Sequence, residues 1–165
     1  MQTALASTPV KVISFHDFAE VRENINNNQK SLHPTVSFRT GDIISSFSAG
    51  EVSALPNYLT VQIAKDKHIT LVPQFLQYIN HSCEPNVFFD TTSMQVIALK
   101  DIDASDEFTF FYPSTEWDMD QPFFCYCESK NCLQNIKGAK YLSADQITHY
   151  RLTDFILKEL QHTNL

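Results

Sequence analysis

Glycine is scarce in this sequence. The 165 residues contain only three glycines, about 2%, whereas an average protein contains roughly 7%. Gly41, Gly50 and Gly138 lie too far apart to form the glycine-rich loop with which P-loop and dinucleotide-binding proteins hold phosphate groups. The sequence therefore excludes both classes of nucleotide-binding protein.

Positive charge is also in short supply. The chain has 12 Lys and Arg against 19 Asp and Glu, which gives a net charge of −7. No stretch collects enough basic residues to neutralise a phosphate backbone, so we expect no direct binding to nucleic acid. The acids are densest at residues 101–107 and 116–120. These clusters either attract a basic peptide or are simply solvated loops that keep the protein soluble.

Long hydrophobic runs are absent from the sequence. Residues 1–7 lack the basic and apolar regions of a signal peptide, and no later stretch approaches the ~18 apolar residues of a membrane span. We therefore expect an intracellular protein, cytoplasmic or nuclear, that is neither secreted nor bound to a membrane. In a reducing compartment, cysteines bind metals or take part in catalysis more often than they form disulfides.

The length and the composition, with 43% hydrophobic and 19% charged residues, indicate one compact domain. Short runs of β-branched and aromatic residues, separated by turn residues, predict that the middle of the chain is mostly β. The predicted strands cover residues 10–14, 35–38, 43–47, 58–63, 69–71, 87–90, 94–100 and 107–112.

Helical patterns occur near both ends of the chain. Residues 17–25 allow a short helix, which a polar loop at residues 26–31 would end. Ser143 and Gln146 form a capping-box pattern, and the apolar residues beyond them recur at near-helical spacing. We expect one amphipathic helix to end the protein and to pack on the core.

The cysteines suggest a metal site. Cys125, Cys127 and Cys132 have the spacing Cys-x-Cys-x4-Cys, with polar turn residues between them. A tetrahedral zinc site needs four ligands, and Cys83 is the only other cysteine. The count predicts a structural four-sulfur site that joins the middle of the chain to its end. The alternative is a set of buried cysteines without a metal, and Cys-x-Cys geometry disfavours a disulfide.

Residues 80–86 form the polar run Asn-His-Ser-Cys-Glu-Pro-Asn. Taken alone, these side chains would satisfy nearby backbone groups. A nucleophilic pair of Cys83 and His81, as in a cysteine-dependent hydrolase, is an alternative. However, side chains two residues apart in one turn rarely point at each other, and no third group is present to orient them.

Three motifs occur in a fixed order: the run at residues 80–86, the acidic and aromatic strand at residues 106–112, and the cysteine cluster at residues 124–132. In this order and spacing they resemble the SET-domain protein lysine methyltransferases. The resemblance extends from about residue 38 to residue 138, and little can be aligned before residue 35.

The resemblance implies a mostly β, SET-like fold. It consists of several short β-sheets around a pseudo-knot, a zinc-binding post-SET tail and a C-terminal helix. The corresponding segments are a divergent N-terminal part of the same domain (residues 1–34), the SET core (35–122), the post-SET zinc-binding segment (123–138) and the C-terminal helix (139–165).

The implied activity is the transfer of methyl groups from S-adenosyl-L-methionine to a lysine ε-amine of a protein or basic peptide. The amine must be aligned and uncharged to attack the methyl group. An apolar channel near a cation lowers the pKa of lysine from its usual value of about 10.4. The alternative is a non-catalytic SET-like module that binds peptides but has lost productive cofactor binding.

The resemblance also implies roles for individual residues by motif position. Phenylalanine at position 110 leaves room for di- or trimethylation. The implied roles are Tyr112 as the catalytic residue that orients the amine, Asn80, His81 and Phe124 in cofactor binding, Phe47 and Phe110 in the substrate channel, and Cys83, Cys125, Cys127 and Cys132 as ligands of a structural Zn2+.

The sequence departs from the family pattern at several places. The usual glycine-flanked opening motif, which touches the cofactor, is missing, and polar residues 26–34 stand where it would lie. Gln77, Phe47 and Phe111 replace a common arginine, tyrosine and aspartate. The missing glycine motif is expected to affect the affinity for the cofactor. Phenylalanine instead of tyrosine at position 47 leaves the lysine pocket with one hydroxyl group fewer.

Overall fold

The structure is a computed structural model that describes residues 9–163. Within this range the chain forms five small sheets of two or three strands each, together with two short α-helices. Three 3-10 turns lie at Gln74–Tyr78, Tyr112–Ser114 and Ala139–Tyr141. In chain order the elements are β1 (Val10–Phe15), β2 (Ala19–Asn24), β3 (Lys30–Pro34), β4 (Ile43–Ser46), β5 (Ser48–Ser53), β6 (Val61–Ala64), β7 (Lys67–Val72), β8 (Asn80–His81), β9 (Val87–Asp90), β10 (Gln95–Ala98), β11 (Thr109–Phe110), β12 (Phe123–Phe124), β13 (Asn135–Ile136), α1 (Ala144–His149) and α2 (Asp154–Thr163).

The first sheet is the antiparallel meander β1-β2-β3. The prediction of a helix at residues 17–25 is wrong, because the side chains of β2 alternate between two faces. Ala19 and Val21 are fully buried, whereas Glu20 and Arg22 point the other way and form an ion pair at 2.7 Å. This period of two is typical of a strand with one buried face.

Two further three-stranded sheets have the orders β4-β10-β9 and β5-β7-β6. The hairpin predicted from residues 87–90 and 94–100 is present, with Gln95 opposite Asp90. The strand predicted at residues 35–38 is wrong, since this segment forms only a single bridge between Phe38 and Ile102. Strand β5 was not predicted, because all its side chains are exposed and most are small, so it lacks an alternating apolar pattern.

The parallel pair β8 and β11 joins two of the sequence motifs. It places Asn80 beside Thr109 and His81 beside Phe110. Asn86 fixes the same region, because its Nδ2 donates to the Glu107 carbonyl at 2.8 Å and its Oδ1 accepts from the Thr109 N–H at 2.8 Å. The strand predicted at residues 107–112 ends early, and the chain turns at Tyr112.

The expected C-terminal helix is confirmed, but it is interrupted and forms two helices, α1 and α2. The capping box is confirmed: Ser143 Oγ accepts from the Gln146 N–H, and Gln146 Oε1 accepts from the Ser143 N–H. A second N-cap, Thr153, begins α2, since its carbonyl accepts from the Leu157 N–H at 3.0 Å. The chain between the helices is extended.

A separate hydrophobic cluster holds these helices against the body of the domain. Leu152, Ile156 and Leu160 pack around Phe111. Tyr150 stacks on Phe111 with 3.6 Å between ring centroids, and its hydroxyl donates to the Cys83 carbonyl at 2.9 Å. The expected apolar stripe therefore packs on the core, next to two of the sequence motifs.

None of the helices in the described part of the chain is long and apolar enough to cross a membrane.

We expect Tyr150→Phe to lower the free energy of unfolding by about 1 kcal/mol, because it removes one buried hydrogen bond. Tyr150→Ala should cost about 3 to 5 kcal/mol, since it also leaves a cavity beside Phe111. Urea denaturation measures both values. Tyr126→Phe, at a residue that is 81% exposed, is the control and should change little. Equal effects of Tyr150→Phe and Tyr126→Phe would contradict this role of the Tyr150 hydroxyl.

Candidate active site

The four cysteines come together in space. Their Sγ atoms all lie within 4.8 Å of one another, and those of Cys83 and Cys125 are 4.0 Å apart. Around a tetrahedral zinc ion with Zn–S bonds of about 2.3 Å, sulfur atoms are separated by roughly 3.8 Å. The spacing therefore fits a four-coordinate metal site, and the cluster could bind a metal.

The electrostatics of the cluster also favour a cation. Burial raises the pKa of Cys83, and the charges of the neighbouring thiolates raise it further. Burial also raises the pKa of Cys125 to about 11. Four thiolates can therefore stay ionised together only around a positive ion. One donor is already in place, since the Leu133 N–H donates to Cys83 Sγ at 3.4 Å.

His81 connects the cysteine cluster to Tyr112. Its Nδ1 accepts the Tyr112 N–H at 3.2 Å, so in the neutral ring the hydrogen lies on Nε2. Nε2 is 3.3 Å from Cys83 Sγ, to which it donates. Burial lowers the pKa of His81 to about 4, which keeps the ring neutral at physiological pH.

Because His81 and Cys83 are only two residues apart in one turn, we did not expect their side chains to point at each other. The two side chains do meet, but the arrangement does not favour a hydrolase. Cys83 is only 1% exposed, and it lies among three other sulfur atoms rather than in a cleft. A raised thiol pKa and no access for a substrate are the opposite of what a nucleophilic cysteine needs.

A cavity of about 330 Å³ lies on the other side of Tyr112. Three of its aromatic lining residues, Phe89, Phe110 and Tyr112, are in contact, with ring centroids 4.6 Å apart for the first two and 4.7 Å apart for the last two. Burial raises the pKa of Tyr112 to about 12, and the nearby charges of Glu107 and Glu116 contribute. The phenol therefore keeps its proton and can both donate and accept a hydrogen bond.

The segment that precedes the cysteine cluster closes one side of this cavity. Phe123 lines it together with Met119, and the Phe123 ring lies edge-on to the rings of Tyr112 and His81 at 5.9 and 5.5 Å. Strand β12 pairs with β13, which follows the cysteines. The position of this cavity wall therefore depends on the cysteine cluster.

Phe47 and Phe124 lie outside the cavity lining. Phe47 is only 5% exposed and packs against Phe89 with 5.5 Å between ring centroids. Phe124 is 45% exposed, and its ring contacts Tyr126 at 4.8 Å. Neighbouring residues of a strand point to opposite faces, which explains why Phe123 reaches the cavity and Phe124 does not.

Asn80 connects the site to the N-terminal sheet. Its Nδ2 donates to the Lys30 carbonyl at 2.9 Å and to Glu107 Oε1 at 3.1 Å. Both amide hydrogens are thus used within the protein. The polar segment at residues 26–34 is therefore in contact with the motif at residues 80–86 through β3, although it has no glycine.

The sequence did not single out Glu116 as a site residue. It is only 8% exposed and lines the cavity, whereas the sequence suggested a solvated or peptide-attracting loop. Burial raises the pKa of Glu116 to about 7, although the Gln62 N–H and the Thr115 hydroxyl donate to its carboxylate and oppose this shift. The sequence contained one indication of this position: Glu116 is four residues after Tyr112, so a turn at Tyr112 would place the two side chains near each other.

Comparison with known proteins identifies the family. The sequence matches the SET domain family over residues 9–113. It is also 37% identical over 128 residues to Methyltransferase flvH from Aspergillus flavus, which corresponds to 76% of this chain and 71% of that protein. The chain belongs to the SET-domain family. The matched region of the SET domain begins before residue 35, where motif comparison could align little.

The fold of this SET domain has counterparts among solved structures. The crystal structure of KRYPTONITE in complex with mCHG DNA and SAH superposes with a TM-score of 0.56 at 22% sequence identity. The match covers 74% of this chain and 30% of that chain, so this chain spans less than a third of that protein. The likeness supports the mostly β, SET-like fold. The family and the relative together support methyl transfer from S-adenosylmethionine in general.

We expect Cys127→Ser to release the metal and to loosen the segment after about residue 123, because metal binding and folding of this segment are coupled. Metal content measured by mass spectrometry and limited proteolysis followed over time would detect the two effects. Ser129→Ala is the matched control: it removes the hydroxyl 3.4 Å from Cys127 Sγ but leaves four sulfur atoms, so it should retain the metal. Full metal content in Cys127→Ser would contradict the four-sulfur site.

Glu116→Gln should stabilise the protein in a pH-dependent way. In the folded protein the pKa of Glu116 is about 7, above the ordinary glutamate value of 4.5. The wild type therefore loses stability as the pH rises from about 4.5 to about 7, by up to about 3 kcal/mol. The variant cannot ionise at this position and avoids that loss. Urea denaturation at about pH 5 and about pH 8 should show a gap that widens with pH.

Asp120→Asn, at an exposed residue of the cavity rim, is the control for this pH series. Because the side chain is exposed, this substitution should change the free energy of unfolding by less than about 0.5 kcal/mol. A constant difference between Glu116→Gln and the wild type at both pH values would contradict a raised pKa at Glu116.

Proposed function

We propose that this SET-domain protein transfers methyl groups from S-adenosylmethionine to the ε-amine of a lysine in a protein or basic peptide. The observation that supports the proposal most strongly is the position of the Tyr112 phenol. The phenol lies on the wall of an aromatic cavity. The backbone N–H of Tyr112 is bonded to His81, which in turn contacts the four-cysteine cluster.

The cavity suits an uncharged alkyl amine. The apolar rings of Phe89, Phe110 and Tyr112 disfavour an ammonium ion that has lost its water, so they lower the pKa of a bound lysine. The neutral Tyr112 hydroxyl can form a hydrogen bond with the amine nitrogen and direct its lone pair. Alignment of the reacting atoms supplies much of the rate enhancement in a displacement of this kind.

The methyl donor fits the residues on the other side of Tyr112. S-adenosylmethionine, when bound, supplies a methyl group on a positively charged sulfur. Both amide hydrogens of Asn80 are used within the protein, whereas its Oδ1 accepts no hydrogen bond from the described residues 9–163 and can accept one from the cofactor. The half-exposed ring of Phe124 offers an apolar face to a flat base. We assign Asn80, His81 and Phe124 to cofactor binding.

We assign a structural role to the metal, with Zn2+ as the ion. Four thiolate ligands leave no open coordination position for a reacting water molecule. The site instead joins Cys83, next to His81, to the segment that carries Phe123 and Phe124. In this proposal residues 123–138 complete both the cavity and the cofactor site.

Tyr112→Phe should reduce methyl transfer by about 100-fold or more, since it removes a hydrogen-bonding group aimed at the reacting amine. Affinity for S-adenosylmethionine should remain close to the wild-type value. Mass spectrometry of a lysine peptide incubated with labelled cofactor measures the transfer, and calorimetry measures the affinity. Tyr126→Phe, which removes an exposed phenol, should remain active. A fully active Tyr112→Phe protein would contradict the assigned role.

Calorimetry on the wild type also tests the alternative of a non-catalytic peptide-binding module. A folded, zinc-loaded protein that binds no S-adenosylmethionine would favour the module. Binding of the cofactor followed by methylation of a lysine peptide would favour the enzyme. Incubation of candidate proteins with labelled cofactor would then identify the acceptor.

A further inference from the structure

Glu116 places a buried carboxylate on the wall of the cavity that Tyr112 also lines. The two residues belong to one turn, in which the Glu116 N–H donates to the Tyr112 carbonyl at 3.1 Å. None of the described residues that line the cavity is a lysine or arginine. The carboxylate therefore has no positively charged partner inside the cavity.

The two carboxylate oxygens of Glu116 have different surroundings. Oε1 accepts from the Gln62 N–H at 2.9 Å and from the Thr115 hydroxyl at 3.2 Å. Oε2 forms no hydrogen bond with any of residues 9–163, and it lies 3.9 Å from His68 Nδ1. One oxygen is thus held in place, and the other is free to take a proton.

His68 is the second polar group at this position without a partner. It is only 4% exposed, and its Nδ1 has no hydrogen-bond partner among the described residues. Burial lowers the pKa of His68, while the charge of Asp66 opposes the shift. A neutral ring can present a bare Nδ1 as an acceptor to a protonated carboxyl group.

We propose that Glu116 accepts the proton that the substrate amine must lose before methyl transfer, beside the neutral ring of His68. This inference rests on the proposed lysine methyltransferase function. The ammonium N–H bond breaks, its electron pair stays on nitrogen, and an O–H bond forms at Oε2 of Glu116. The products are a neutral amine and a neutral carboxylic acid, so charge and atoms balance without any other reactant.

The surroundings of Glu116 suit this exchange. Its pKa of about 7 makes the carboxylate a stronger base than a solvated glutamate, because burial penalises the charged form. The charged or titratable groups that face it are Tyr112 in the same turn, His68 on β7 and Asp120 at the cavity rim. Transfer of a proton from an ammonium ion to a carboxylate removes two charges from an apolar space, which that space favours.

The decisive variant is Glu116→Gln. The amide oxygen of glutamine can still accept from the Gln62 N–H and the Thr115 hydroxyl, and its amide nitrogen can donate to His68 Nδ1. The variant therefore keeps the local hydrogen bonds and loses only the ability to take a proton. Asp120→Asn removes a negative charge from an exposed position of the same cavity. This control shows how much of any effect comes from weaker electrostatic attraction of a basic peptide.

The first measurement is the single-turnover rate of methyl transfer to a lysine peptide as a function of pH. At pH 7, Glu116→Gln should be slower than the wild type by about 10-fold or more. The deficit should shrink as the pH approaches the lysine pKa of about 10.4, since solution then supplies the neutral amine. Asp120→Asn should raise the peptide concentration that gives the half-maximal rate. The dependence of its rate on pH should remain that of the wild type.

The second measurement does not depend on activity. Carbon-13 NMR of glutamate-labelled, zinc-loaded protein without cofactor should contain one carboxyl resonance that titrates near neutral pH and is missing in Glu116→Gln. A Glu116 resonance that titrates near the ordinary value for glutamate would overturn the inference.

The kinetic outcomes separate this inference from the proposed function. A wild-type protein that binds cofactor but methylates no lysine peptide would refute the function, and the inference with it. If the wild type is active, the function stands. An unchanged pH profile in Glu116→Gln, or an equal loss at every pH, would then overturn only the role of Glu116 as proton acceptor.

Discussion

The imidazole of His81 holds together the two halves of the site. Through Nδ1 it accepts the backbone N–H of Tyr112, and through Nε2 it donates to the sulfur of Cys83. Ionisation of that sulfur, as metal binding would require, would strengthen the second bond, because charge-assisted hydrogen bonds are stronger than neutral ones. The backbone position of Tyr112 at the cavity wall therefore depends on the charge state of a sulfur atom in a separate cluster. Burial keeps the ring neutral, and only the neutral ring can donate on one side and accept on the other.

Phe111 connects the same turn to the C-terminal helices. Its aromatic ring stacks on Tyr150. Phe111 thus places the residue before Tyr112 at the centre of a second hydrophobic cluster. Because the Tyr150 hydroxyl also bonds to the Cys83 carbonyl, the helices support both the turn and the cysteine cluster. The C-terminal helices thus hold Phe111, whereas His81 holds the backbone of the next residue, Tyr112.

The sequence predicted those features that depend on the spacing of neighbouring residues or on a rare residue type. Four cysteines and no others could be counted, and the alternation at residues 87–90 and 94–100 indicated a hairpin. The exposed strand β5 escaped detection because backbone pairing with β7, rather than burial of its side chains, stabilises it. The burial of Glu116 depends on Gln62 and on neighbouring strands more than 50 residues earlier in the chain. No local pattern records such a distant contact.

The separation of Cys83 from Cys125, 42 positions along the chain, sets an order of events during synthesis. When Tyr112 has just been added to the growing chain, Phe123, which lines the cavity, and the last three cysteines have not yet been made. Until Cys132 has emerged from the ribosome, Cys83 lacks the three sulfur atoms beside which it lies in the folded domain. The far side of the cavity can therefore form only after residue 132 has been added.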